Sequence, residues 1–105
     1  MSEIYKYNGI ELAEISEELH SELMKYWTED RDNIENISMP IENITSYLCW
    51  IEKDKVWDAI QVMKTNNGYH LFGESFKHKK YALRWIANEY EDTDELLEED
   101  RKAGK

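Results

Sequence analysis

Residues 8–30, NGIELAEISEELHSELMKYWTED, decide how the rest of the chain is read. At the 100° per residue of an α-helix, Leu12, Ile15, Leu19, Leu23, Tyr26 and Trp27 fall within one arc of about 120°, a normal core-facing stripe. Asn8, with Glu11 three positions on, has the form of a helix N-cap and its reciprocal partner. The spacing predicts a helix that ends near Asp30, where a carboxylate would enter the stripe. On the same projection Glu11, Glu14, Glu18, Glu22 and Glu29 share an arc of about 80°, interrupted only by Lys25.

Working outward, EIYKY at residues 3–7 has the composition of a short strand. Residues 33–40 read as a connection ending at the single proline, Pro40. Two stretches rich in β-branched and aromatic residues follow, ITSYLCWIE from Ile44 and KVWDAIQVMKT from Lys55. They read as strands joined by a charged turn at Lys53-Asp54-Lys55. A short helix near residues 40–47 competes with the first of them, because Ile41, Ile44, Leu48 and Ile51 also match helical spacing. Asn66-Asn67-Gly68, before YHLFG, is a hairpin signal, since Asn and Gly tolerate positive φ. Ser75 is placed to cap a second helix over about 76–91 with Ala82, Trp85, Ile86 and Tyr90 inward, and Thr93 to cap a further turn or two through Glu99. The expected fold is α+β: helix, three-stranded antiparallel sheet, helix, then a short acidic helix or tail, with the helices on one face of the sheet. The expected organisation is one domain over residues 1–92 and an acidic extension over 93–105.

Composition narrows function by exclusion. A chain of 105 residues with a formal charge of -10 lacks the cationic surface that direct binding to nucleic acid or anionic membranes requires. No apolar run approaches the roughly 20 residues of a spanning helix, and the N-terminus has no signal-peptide pattern, so a cytoplasmic location is expected. The two glycosylation sequons, at Asn36 and Asn43, are then chance matches. Cys49, the single cysteine, sits in the apolar stretch SYLCWI as a buried thiol rather than a nucleophile. Glu17 and His20 form one Glu-x-x-His unit, but a dinuclear metal site needs a second. Asp92-Thr93-Asp94 opens like a calcium loop, but Leu97 stands where glycine is needed and Ala103 where a bidentate glutamate is needed. No phosphate loop, zinc pair or nucleophile signature is present. The expectation is no cofactor, no metal and no enzymatic activity. The interleaved Tyr47, Trp50, Trp57, Tyr69 and Phe72 are read as core packing rather than base-stacking platforms.

Charge is distributed unevenly. Residues 1–37 hold ten acids and three bases, residues 38–87 five and seven, and residues 88–105 eight and three. Carboxylates three or four residues apart on a helix lie about 5–6 Å apart, a loose match to the spacing of backbone phosphates. In size and charge layout the chain resembles the small acidic DNA-mimic proteins that bacteriophages make against host DNA-binding proteins. That resemblance implies a non-enzymatic inhibitor acting in a bacterial host cytoplasm. Its partner would be a basic protein such as a nucleoid protein, a restriction or CRISPR effector, a polymerase or a repair enzyme. The partner-binding residues would be Glu11, Glu14, Glu18, Glu22 and Glu29 with Glu91, Asp92, Asp94, Glu95, Glu98, Glu99 and Asp100, and Tyr90, Leu96 and Leu97 could add apolar anchors. An immunity protein or antitoxin neutralising a basic toxin is the alternative with the same electrostatics. Lys77, Lys79, Lys80 and Arg84 form a basic strip that departs from the mimic pattern and could pair with acids of a second copy in a homodimer.

Overall fold

Asn8 and Gly9 both adopt positive φ, 52° and 83°, the pair of conformations that a two-residue hairpin turn demands. In this computed structural model, which describes residues 3–27 and 34–103, the chain therefore reverses at Asn8 instead of starting a helix. Strand β1 (Glu3–Tyr7) pairs antiparallel with β2 (Ile10–Glu14), Tyr7 opposite Ile10 and Glu3 opposite Glu14. The helix α1 begins only at Glu17 and ends at Met24, capped by Ser16, whose hydroxyl accepts the Leu19 N–H at 3.2 Å. The expected helix from residue 8 is thus corrected to a strand and a two-turn helix. Asp30, where that helix was to end, and Glu29 lie outside the described residues.

The misleading periodicity has a physical origin. Leu12 and Ala13 are both fully buried because successive side chains on a strand point to opposite faces and both faces here are covered. A strand buried on both sides loses its alternation, and Leu12 with Ile15 then mimics a helical stripe.

After α1 the chain returns to β3 (Ser46–Ile51), which lies parallel to β2; parallel neighbours require such a crossover. The alternative short helix at 40–47 does not form. Residues 40–43 make a turn, and the Tyr47 hydroxyl donates to the carbonyls of Ile41 and Ile44, holding that turn against the sheet. β4 (Val56–Thr65) and β5 (Gly68–Phe76) continue antiparallel from β3, through the anticipated turns at Lys53-Asp54-Lys55 and Asn66-Asn67. The sheet has five strands in the order β1-β2-β3-β4-β5 and is mixed. This corrects the expectation of a three-stranded antiparallel sheet.

The helices also divide between faces rather than sharing one. Ala13, Tyr47, Cys49, Ile60, Val62 and Leu71 pack with Leu23 of α1 on one side of the sheet. Leu12, Leu48, Ala59 and Phe76 pack on the other with Ala82, Trp85 and Ile86 of α2 (Lys79–Ile86) and Leu96 of α3 (Thr93–Lys102). Ser75 lies on β5 and caps no helix; α2 starts four residues after it. The expected helix over 76–91 is therefore shorter, leaving through Asn88 at φ 60°. Asp92, not Thr93, caps α3, accepting the Asp94 N–H at 2.8 Å.

One position tests the β5 end of the sheet. Gly68 has φ 138°, and a Cβ built there runs into the Ile34 carbonyl oxygen. Ile34 exchanges both backbone hydrogen bonds with Tyr69, at 2.8 and 3.1 Å. Gly68→Ala is expected to cost about 2 kcal/mol, because a side chain is strained at such a φ and the clash is with backbone. The Tyr69 amide should lose hydrogen-exchange protection before other β5 amides do. Unchanged protection at Tyr69 would count against this account of Gly68.

Candidate interaction surface

The acidic stretch at the end of the chain is a docked helix. α3 places Leu96 in the core at 1% exposure and leaves Leu97 half-buried against the same cluster. Asp100 is buried at 4% exposure. Its carboxylate accepts the Lys77 N–H at 2.7 Å, the His78 N–H at 2.9 Å and a contact from His78 Nδ1 at 3.1 Å. The N-cap residue of α2, His78, makes no side-chain capping bond of its own. Asp100 thus supplies from another helix the acceptor that an α-helix N-terminus needs. It was placed by sequence reasoning among the partner-binding acids, and its burial makes it a structural pin instead.

The remaining acids of α3 face solvent. Asp94, Glu95, Glu98 and Glu99 are exposed, as are Glu91 and Asp92 just before the helix. A cleft of about 410 Å³ runs between the end of α2 and the start of α3, lined by carboxylates of Glu89, Glu91, Asp92, Glu95 and Glu99 with Arg84 among them. Arg84 pairs with Glu99 at 3.3 Å. Glu98 pairs with Arg101 and, at 3.7 Å, with Lys102. Such exposed pairs contribute little to stability, and they leave the N-terminal half of the array without a basic side-chain partner among the described residues.

The glutamates expected on a single helical ridge are dispersed. Glu18 and Glu22 are exposed on α1, Glu22 pairing with Lys25 at 3.3 Å. Glu11 is exposed on β2, opposite Lys6. Glu14 is half-buried on the opposite face of the same strand, where it accepts the Tyr5 hydroxyl at 2.7 Å and pairs with Lys79. Tyr5 titrates well above its ordinary range, first from burial and then from the Glu14 bond. Because α1 and α3 cover opposite faces of the sheet, the α1 glutamates and the α3 array do not form one surface.

Half of the basic strip is consumed inside the molecule. Lys79 Nζ lies 5.3 Å from the Tyr5 ring centre and 5.2 Å from that of Trp57, a cation–π arrangement completed by Glu14. Arg84 is held by Glu99 and by the Glu89 carbonyl at 3.3 Å. Lys77 and Lys80 remain exposed.

Sequence reasoning missed one polar cluster altogether. His20 Nε2 lies 2.9 Å from Asp58 Oδ2, and the Ser75 hydroxyl donates to Asp58 Oδ1. Burial alone would push the Asp58 carboxyl up, but the bonds from His20 and Ser75 and the charge of His20 outweigh it and hold the group below its ordinary range. The carboxylate stands between serine and imidazole, so His20 is not the hydrogen-bond partner of Ser75, the arrangement that an activated serine needs. The hairpin at Asn66-Asn67 sets Asp58 opposite Ser75, a pair that its register makes legible, whereas His20 reaches them only through the crossover that lays α1 on this face of the sheet. The trio borders a pocket of about 270 Å³ lined by Met24, Trp27, Ile60 and Gly73 as well as Asp58 and Ser75.

Cys49 is buried at 1% exposure. Its thiol is pushed up to about 12, by burial first and then by the charges of Glu17 and Asp58. Among the described residues no three His, Cys, Asp or Glu side chains are grouped to hold a metal ion, and no helix is long and apolar enough to cross a membrane. No protein family, curated protein or solved structure matches the chain.

Proposed function

We propose that the chain is a non-enzymatic acidic binding protein that occupies the DNA site of a basic DNA-binding protein, using the carboxylates of α3. The observation that supports this reading is the anchoring of α3. Leu96 and Asp100 are buried, so Asp94, Glu95, Glu98 and Glu99 stand on a docked helix rather than a tail. Neighbours at i, i+4 such as Asp94 and Glu98 are about 5–6 Å apart, and a preorganised array loses less entropy on binding than a flexible one. The overall charge of -10 adds long-range attraction to a basic groove.

The narrowed surface makes the reading testable. Affinity capture from a bacterial lysate should recover DNA-binding proteins at low salt, and added duplex DNA should release them. Reversing Glu95 and Glu98 to Lys should reduce capture at least tenfold, whereas reversing Glu18 and Glu22, on the opposite face, should leave it nearly unchanged. Equal capture by all three proteins, or indifference to duplex DNA, would sink the proposal.

A further inference from the structure

β1 forms an outer edge of the sheet, at one end of the order β1-β2-β3-β4-β5. Tyr7 and Ile10 flank the Asn8-Gly9 turn as directly opposite residues and so exchange main-chain hydrogen bonds. Alternation along the strand gives Glu3 and Tyr5 to β2 as well, and it turns the N–H and C=O groups of Ile4 and Lys6 outward. No backbone group among the described residues meets them. Residues 28–33 run between Trp27, whose ring lies against Gly73, and Ile34, which bonds to Tyr69. Both anchors are at β5, about 19 Å from β1, and a path out and back exceeds the roughly 25 Å that seven residue steps can span. Two residues precede β1, too few to turn and pair with it. Two follow α3, whose end is tied by Asp100 to Lys77 just past β5.

This edge fits a second copy of itself in one register. Outward residues must meet outward residues, so a two-fold antiparallel pairing centres on Ile4, Tyr5 or Lys6. Centring on Lys6 sets two ammonium groups directly opposite each other, and centring on Ile4 pairs only Glu3 to Tyr5 within the strand. Centring on Tyr5 pairs all of β1. Ile4 then lies opposite Lys6 of the second copy and Glu3 opposite its Tyr7, with four main-chain hydrogen bonds formed and no like charges directly opposite. Ile4, 51% exposed, is covered by the methylene stem of that lysine and, diagonally, by the other Ile4.

We infer that two copies join at β1 in this register, making one continuous ten-stranded sheet by strand addition. Residues opposite each other share a face of a sheet, so the two Tyr5 side chains meet on the face that Tyr5 shares with Leu96 of α3. Both α3 arrays therefore stand on the same side of the joined sheet, related by a two-fold axis, and offer paired acidic surfaces to a partner with two basic sites. The paired display rests on the α3 reading above, whereas the edge pairing stands without it. A contact between two five-residue strands is small beside the roughly 1,200 Å² of stable complexes, so the dimer is a weak one. Two chains of charge -10 repel, and added salt screens that repulsion.

Sedimentation equilibrium of the full chain reads the pairing. A monomer–dimer equilibrium should appear between micromolar and millimolar concentration and tighten as salt rises, the opposite of the salt response expected for partner capture. Ile4→Lys sets like charges opposite each other at two symmetric places and should weaken the dimer about tenfold, whereas Ile4→Glu meets Lys6 and should keep it. Bulk charge predicts the reverse order, because lysine lowers the repulsion between copies and glutamate raises it. In NMR hydrogen exchange the Ile4 and Lys6 amides should gain protection with concentration, while Tyr5 is protected throughout. A monomer at millimolar concentration, a dimer indifferent to residue 4, or a dimer that dissolves in salt would overturn the edge inference and leave the α3 reading standing. A dimer that obeys residue 4, together with capture that ignores reversal of Glu95 and Glu98, would overturn the α3 reading instead.

Discussion

Replacing Asp100 with alanine is expected to lower folding stability by about 3 kcal/mol, the scale for losing a buried charged acceptor of two backbone N–H groups. In a domain of this size that corresponds to a fall in Tm of roughly 15 °C. The reason lies in what Asp100 touches. Its two oxygens accept the N–H groups of Lys77 and His78, donors that belong to the end of β5 and the start of α2. The alanine variant would leave both unpaired in a part-buried position and would remove the polar contact holding α3 beside them. The milder substitution Asp100→Asn keeps one acceptor oxygen and should lose about half as much. Thermal unfolding of the two variants reads the difference, and hydrogen exchange at Lys77 and His78 reports whether the loss is local. An exposed acid on the same helix, Glu95, changed to alanine should move Tm little. If Asp100→Ala and Glu95→Ala unfolded at the same temperature, Asp100 would be a surface residue after all.

Cys49 should react with a thiol reagent about 10³-fold more slowly in the native protein at pH 8 than in the unfolded chain, since only the thiolate attacks. The shift from an ordinary value of 9.0 up to about 12 sets that factor by itself, and burial at 1% exposure slows attack further. Substituting Glu17 with Gln removes one of the charges acting on the thiol without opening the core. That variant should regain only a small part of the reactivity, because burial is the larger cause. Titration with a chromogenic disulfide across increasing urea gives the measurement: reactivity should rise along the unfolding curve. A fast native reaction would show that the strand around Cys49 opens locally, or that the thiol is reachable where it stands.

Much of the second half of the chain was legible before the structure. The turn at Asn66-Asn67, the β-branched strands on either side of Lys53-Asp54-Lys55, and the inward positions Ala82, Trp85 and Ile86 follow from local chemistry that the tertiary structure does not override. The first half misled for a specific reason. Asn8-Gly9 is a hairpin signal and also an acceptable helix start, and Leu12, Ile15, Leu19 and Leu23 join a two-faced buried strand to a helix without breaking the 3.6-residue rhythm. Ser75 was misassigned for a similar reason: a serine before a helical pattern suits a cap, but here β5 runs on past it and its hydroxyl turns to Asp58. The acidic site was half legible. Glu91 to Glu99 could be singled out by charge alone, whereas the burial of Asp100 depends on the N–H groups of Lys77 and His78 arriving from 22 or more residues away.

By itself the sequence determined the chemical inventory of this protein. It carries a strong negative charge concentrated toward its ends, a buried thiol, a core rich in aromatics and a set of turns placed by Asn and Gly. Which carboxylates share a face was left to the tertiary structure. Side-chain period assigns neighbours along one element, but the parallel return of β3 beside β2 puts α1 on one face of the sheet and α3 on the other. That single connection separates Glu18 and Glu22 from Glu95 and Glu98 and brings His20 to Asp58 and Ser75, which the β4–β5 hairpin already sets opposite each other.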